Sequence, residues 1–234
     1  MSDILNIIQE RHSVRMPFDP ERPIAKQDLQ QILEAGRWAP TAHNMQNFEI
    51  VVVDDKMILQ ELGNIKRTVS ETFIRENYQQ LSFSEEESLR KKVGLLGTDF
   101  PPSWRTPGVK PIVEEGSMRP LLACPTLLVV LYDPGRRAPA SEGDFLGIIS
   151  LGCMIENLWL AANSLGIDFH IVSSLADGPV GKGVKRILAV PEHLRVALSI
   201  RLGYAAAGQT RHPRVRRDIE DFSHHNRFGN KGID

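Results

Sequence analysis

"EAGRWAPTAHNMQNFEIVVV", Glu34 to Val53, contains the change of secondary structure on which the fold turns. Ahead of it, Leu29, Ile32, Leu33 and Ala35 recur at helical spacing. The residue before a proline is biased out of the helical region, so that helix ends at Ala39-Pro40. Behind it, "FEIVVVDD", Phe48 to Asp55, is rich in β-branched residues and reads as a strand. A polar crossing of Thr41, Ala42, His43, Asn44, Met45 and Gln46 joins the two. Its amides each donate and accept, which suits a planar heterocycle with alternating N–H and C=O groups. A plain polar connector satisfies the same letters.

Outward from this stretch, Ile4, Leu5, Ile7 and Ile8 mark a first helix with one apolar face. A polar helical region is predicted from Lys56 to Lys92, followed between Gly94 and Pro120 by a proline- and glycine-rich irregular insert of the kind that forms lids or binding loops. Further strands are "TLLVVLYD" (Thr126 to Asp133), "IDFHIVSS" (Ile167 to Ser174) and "LRVALSIRLGY" (Leu194 to Tyr204), with a short helix around Val180 to Leu188. Helices and strands alternate irregularly and no glycine-rich strand-to-helix turn stands among them, which argues against a dinucleotide-binding Rossmann unit. The pattern predicts an α+β fold with a mixed, mostly antiparallel sheet flanked by helices.

"DFLGIISLGCMIENLWLAANSLG", Asp144 to Gly166, is about long enough to span a bilayer. Glu156 and Asn157 sit mid-segment, and a central carboxylate costs at least about 2.5–3.5 kcal/mol in lipid. We read it as a buried helix of a soluble protein, apolar enough all round to line an oligomer interface as well. With 234 residues, 41% hydrophobic and 24% charged, the chain reads as one domain over 1–234 with a lid or substrate insert at about 63–120. A net charge of −1 gives neither nucleic acid nor a membrane surface a footing. Cys124 and Cys153 lie in apolar sequence without CxxC spacing, as thiols of a reducing compartment do. "MSDILNIIQERH" has no secretory core, so a cytoplasmic location is expected. The seven histidines show no HExxH or paired spacing, and no metal is expected.

The most chemically loaded stretch is "RHSVRMPF", Arg11 to Phe18. If the first helix ends near Arg11 and Pro17 holds the chain extended, residues 11, 13 and 15 project from one side. Two guanidinium groups and a hydroxyl then converge as a site for phosphate or another anion. A solvated basic helix end is the alternative reading of this stretch alone.

Arg11-x-Ser13-x-Arg15 after the first helix and Ala39-Pro40-Thr41-Ala42-His43-Asn44-x-Gln46 before the first strand resemble the FMN-dependent nitroreductase family. "LAANSLGIDFHIVSS", "AVPEHLRVALSIRLGY" and "PRVRRDIEDFSHHNRFG" are similar to further segments of that family, in its order. The resemblance covers nearly the whole chain except about Gly63 to Pro120. It implies an intertwined homodimer with two FMN sites at the subunit interface. It also implies hydride transfer from NADH or NADPH, by a ping-pong mechanism, to a small aromatic or conjugated acceptor such as a nitroaromatic, quinone or enone. The cofactor contacts it implies are Arg11, His12, Ser13, Arg15, Pro40, Thr41, Ala42, Asn44, Gln46, Val172, Ser173, Ser174, Arg214 and Arg216. Arg11 would serve the phosphate or the ribityl chain, Ser13, Arg214 and Arg216 the phosphate, Arg15 the pyrimidine edge by N1 and O2, and a backbone N–H of Val172 to Ser174 the N5 position. No catalytic side chain is implied, because flavin N5 performs the chemistry.

The sequence departs from the family in particular places. Thr41-Ala42 stand where many relatives have Ser-Ser, Asn47-Phe48 where many have Pro-Trp, and serines at 173 and 174 where Gly-Gly is frequent. These departures leave open a specialised branch (dehalogenase, azoline oxidase or flavin-fragmenting enzyme) and a protein that sequesters FMN without productive reductase activity. Tyr78, Phe83, Phe100 and Trp104 of the insert would either stack on a planar acceptor or pack the lid's own core.

Overall fold

The structure, a computed structural model, describes residues 3–15, 17–68, 85–92, 115–118, 122–139, 141, 143–176, 178–205 and 215–232. In chain order the described helices are α1 (Asp3–Glu10), α2 (Lys26–Arg37), α3 (Lys56–Gly63), α4 (Glu85–Lys91), α5 (Phe145–Ser164), α6 (Gly178–Ile187) and α7 (Ile219–Phe222). The strands are β1 (Phe48–Val53), β2 (Lys66–Thr68), β3 (Glu115–Ser117), β4 (Thr126–Tyr132), β5 (Asp168–Val172) and β6 (Arg195–Gly203).

Local chemistry sets several boundaries. Asp55 caps α3, its Oδ1 accepting the Met57 and Ile58 amides at 2.8 and 3.0 Å. The expected helical region from Lys56 to Lys92 is not continuous. It stops at Gly63, where the Asn64 amide turns back to the Gln60 and Glu61 carbonyls and Ile65 turns into the core, and β2 follows. The short strand β3 likewise lies in the stretch read as irregular, and β2 pairs with it.

The main sheet runs β1-β4-β6-β5, antiparallel throughout. Ser13 adds a parallel bridge to Phe169 beyond β5, so the sheet is mixed and mostly antiparallel, as the sequence pattern indicated. Thr126 to Leu131 of β4 are all buried because both faces of the sheet are covered. Leu127, Val129 and Leu131 face a core shared with Leu62 of α3 and Val180 and Val184 of α6. Leu128 and Val130 face the other core, with Ile32 of α2 and Leu151, Met154 and Leu158 of α5. Helices α2 and α5 approach closely at Gly36, where an added Cβ would stand 2.6 Å from Leu158 Cδ2.

Helix α5 meets the buried-helix expectation on one side only. Ser150, Leu151, Met154, Leu158 and Ala162 are buried, while Phe145, Ile148 and Ile149 stay exposed. It is one described helix long and apolar enough to cross a membrane, yet its inner face packs on the sheet and α2.

The chain forms two compact units, Met1–Arg67 with Gly116–Gln209, and Thr68–Glu115 with Thr210–Asp234. The first holds the main sheet and its covering helices. In the second, Lys92 pairs with Asp218 and with Asp221, and Asp218 and Asp221 form a capping box on α7.

Candidate functional site

Two polar elements flank the main sheet. The first is the strap that leaves α1. The Arg11 amide donates to the Ile7 carbonyl at 3.0 Å, closing the helix, and the Val14 amide donates to the Phe169 carbonyl at 3.1 Å. Val14 is buried, so its neighbours in this extended segment turn the other way. Ser13 is half-buried and Arg15 exposed. Burial thus alternates over Ser13, Val14 and Arg15, while Arg11 still closes α1.

Arg11 is tied to α5. Its Nε stands 3.0 Å from Glu156 Oε1 and its guanidinium carbon 4.3 Å from the centre of the Trp159 ring. Trp159 in turn stacks on Phe169 at 4.9 Å, so the root of the strap is fixed to the helix and the strand edge together. His12 turns its Nδ1 to the Glu10 carbonyl at 3.1 Å.

The second element is the loop after α2. Pro40 precedes a 3₁₀ turn, Ala42–Asn44, and His43, Asn44 and Gln46 have φ of 50°, 54° and 43°. Left-handed backbone costs roughly 1–2 kcal/mol for a residue other than glycine, and such residues cluster at sites where geometry matters. Side chains hold the shape. Ser150 Oγ accepts the Ala42 amide at 3.0 Å and donates to the Leu146 carbonyl at 2.7 Å. Thr41 Oγ1 accepts the Gln46 amide at 3.2 Å, the Gln46 side-chain amide donates to Asn44 Oδ1 at 3.1 Å, and Arg136 donates to the Gln46 carbonyl at 3.3 Å.

Beside the loop, Asn47 is buried and its Oδ1 meets no donor among the described residues. It lines a small surface pocket with Tyr132, Arg136, Arg137, Asp144 and Gly147 among others.

At the far end of β5, Val172 is buried and its carbonyl accepts the hydroxyl of buried Ser199 at 3.1 Å. Ser173 and Ser174 open the 3₁₀ turn Ser173–Ala176, where the first amides of a helical turn have no partner inside it. Arg216 is exposed in the second unit and donates to the Val215 carbonyl at 2.7 Å. Arg214 lies outside the described residues, as do Tyr78, Phe83, Phe100 and Trp104.

The chain does not bring the two elements together. The strap lies outside β5 at one edge of the sheet, and the loop enters β1 at the other. Four strand spacings separate them, about 19 Å at the usual 4.7–4.9 Å per step.

Sequence reasoning missed a buried group beneath the strap. Arg201 of β6 is 1% exposed and touches His170, Cys124 and the Arg15 carbonyl. The His170 pKa falls to about 3, first through burial, then through the charges of Arg201 and Arg15. Burial pushes the Cys124 thiol up to about 11, against the opposing pull of Arg201. The signal was one arginine inside the apolar run "ALSIRLGY".

With this geometry in place, comparison with known proteins is decisive. The sequence profile of the nitroreductase family matches residues 8–204, from α1 through β6. The chain belongs to the nitroreductase family. An NADPH-dependent oxidoreductase of Staphylococcus saprophyticus is 23% identical over 225 residues, 96% of this chain and 74% of the relative. A nitroreductase with bound FMN from Desulfitobacterium hafniense is 25% identical with a TM-score of 0.60, over 96% of this chain and 98% of that one. A nitroreductase with bound FMN from Bacteroides fragilis shares the fold, with a TM-score of 0.57, 24% identity, and 93% and 96% of the two chains covered. Within this family, the strap and the loop are the segments that the sequence singled out.

Proposed function

We propose that the protein is an FMN-dependent oxidoreductase that transfers hydride from NADH or NADPH to a small planar acceptor, by a ping-pong mechanism, and works as a homodimer. The observation that carries this reading is the pair of complementary polar elements on opposite edges of one sheet. Each is half of a site. A second copy can supply the missing half.

The donor set fits the cofactor. A phosphate takes hydroxyl and guanidinium donors, offered by Ser13 and Arg11, and a flavin edge takes amide and guanidinium donors, offered by Asn44, Gln46 and Arg15. When bound, FMN supplies the hydride chemistry at N5. Arg15 would offer the pyrimidine edge a fixed cation, and preorganised charge there would stabilise negative charge without reorganisation. The Ser173–Ala176 turn follows β5 directly, and its opening amides are the donors this reading gives to N5. The strained 41–46 loop, held by Ser150 and Arg136, keeps Asn44 and Gln46 in place. Arg214 and Arg216 stay with the reading as its sequence-derived part.

The apolar surface supports the dimer. Phe145, Ile148 and Ile149 at the start of α5, and Ile4, Leu5 and Ile8 of α1, are all at least 40% exposed, apolar side chains that a second copy can cover. Two unpaired cysteines accord with a cytoplasmic location.

Sedimentation of the purified protein, followed in the flavin band, tests the assembly; a flavin-loaded monomer would overturn it. Stopped-flow bleaching with each nicotinamide and reoxidation by a panel of nitroarenes, quinones and enones tests the chemistry. FMN that binds but is bleached by neither nicotinamide would leave only a flavin-sequestering role.

A further inference from the structure

Arg201 heads the fully buried side chains, yet its neighbours in β6 are Ile200 and Leu202. Removing a guanidinium from water costs several kcal/mol unless its donors are met, so its place in an aliphatic strand calls for a reason. Its donors reach the strap at Arg15 and two neighbours of the strap, Ala123 before β4 and His170 of β5. Nη2 donates to the Ala123 carbonyl at 2.8 Å, and Nη1 reaches His170 Nδ1 at 3.2 Å and the Arg15 carbonyl at 3.5 Å. The guanidinium carbon lies 4.7 Å from the centre of the Phe18 ring, and the Phe18 amide shares the Ala123 carbonyl at 3.2 Å. Arg15 and Phe18 thus close over one planar cation.

We propose that Arg201 is the positioning residue for Arg15: by gripping the Arg15 carbonyl, the Phe18 ring and the His170 imidazole on one buried guanidinium, it fixes where the Arg15 side chain leaves the sheet edge. The second half of the proposal, that this placement sets the charge felt by bound FMN, rests on the functional reading above.

The chemistry of the partners fits the role. A guanidinium only donates, so His170 must present Nδ1 as an unprotonated acceptor and carry its proton on Nε2. Burial and the two arginines keep the ring neutral. The 3.5 Å reach to Arg15 is the weakest of the three contacts, and the two shorter ones hold the fork in plane beneath it. Lysine cannot substitute, because a single ammonium on a flexible stem cannot meet divergent acceptors with a rigid fork.

The test uses the FMN-loaded full chain as wild type, Arg201→Met, Arg201→Lys, Arg15→Gln and the double variant Arg201→Met/Arg15→Gln. Hydrogen exchange reads the strap and spectroelectrochemistry reads the flavin midpoint potential. The expected result is exchange at Val14 faster by about tenfold or more in Arg201→Met, the usual consequence of losing a hydrogen bond to a charged group. The midpoint should fall in Arg201→Met and fall no further in the double variant than in Arg15→Gln alone. If Arg15→Gln moves the potential while the Arg201 variants leave potential and exchange unchanged, the positioning role is wrong and the FMN reading stands. If the Arg201 variants loosen the strap but no variant moves the potential, the grip stands and the placement of Arg15 against FMN is wrong. Additive potential shifts would show Arg201 acting on the flavin directly, which also overturns the proposal. Should Arg201→Met fail to fold, Arg201→Lys, which keeps the buried charge, carries the same comparison.

Discussion

His170 gives this protein an acid sensitivity whose size can be worked out. In the unfolded chain it takes a proton near its ordinary value of 6.5, but in the fold burial, helped by Arg201 and Arg15, delays this to about 3. Between those limits the unfolded state binds more protons than the folded one, so stability falls as pH drops from about 6.5 towards 3. Each unit is worth about 1.4 kcal/mol, so the penalty is about 2 kcal/mol at pH 5 and reaches about 5 kcal/mol as an upper bound. The exposed carboxylates Asp221 and Glu34 have lowered values, and their contributions are lost only as pH falls below the ordinary carboxylate range. A comparison of pH 7.5 with pH 5 therefore isolates the histidine. Urea unfolding at one fixed FMN concentration, for wild type and His170→Gln, should show the wild type losing about 2 kcal/mol more over that interval. An equal loss in both proteins would refute the reasoning and place His170 in contact with water.

Ser150→Ala removes the acceptor of the Ala42 amide and should weaken FMN binding by about tenfold through the loosened 41–46 loop, with little change in global stability. Fluorescence titration of the apoprotein reads this, and unchanged affinity refutes it. Gly203→Ala should destabilise the fold by about 1–3 kcal/mol in urea, because the new Cβ would stand 2.8 Å from Pro125 Cδ and 2.9 Å from Phe18 Cβ. Gly36→Ala should cost less, since its one contact under 3.0 Å is with the Leu158 Cδ2 methyl and it gains helix propensity; the reverse order would refute this account of packing.

Much of this was legible from local pattern. The helix-to-strand change across Pro40, the alternation around Val14 and the continuous apolar run of β4 each follow from periodicity that a few neighbouring residues impose. The break at Gly63 was not legible, because a polar helical face continues beyond it in composition and only the packing of Ile65 ends the helix. Arg201 and His170 were not legible as a pair, since 31 residues and a strand pairing separate them. The left-handed loop was invisible for another reason. Its residues are not glycines, and contacts from Ser150, 108 positions from Ala42, and from Thr41 and Arg136 help to hold them there.

Helix α5 connects these parts and yields a last prediction. It pins the loop through Ser150 and the strap through Glu156, six residues and about 9 Å further along its axis. A twofold dimer in which two α5 helices cross antiparallel matches residue 150 of one with 156 of the other when the axis passes residue 153, since each such pair of positions must be symmetric about it. That arrangement sets the loop of one copy beside the strap of its mate and covers Ile148 and Ile149. Gly152, with open space around its missing Cβ, lets the helices approach. Cys153 then lies beside the axis, half-buried, while Cys124 is buried with its thiol pushed up to about 11 and stays inert. A bis-maleimide reaching about 8–10 Å, the usual separation of packed helix axes, should therefore join two chains through Cys153. On a denaturing gel the linked dimer should survive Cys124→Ser and vanish with Cys153→Ser. A protein that sediments as a dimer but resists this crosslink would show that α5 does not pair with itself, and the two half-sites would have to meet across another face.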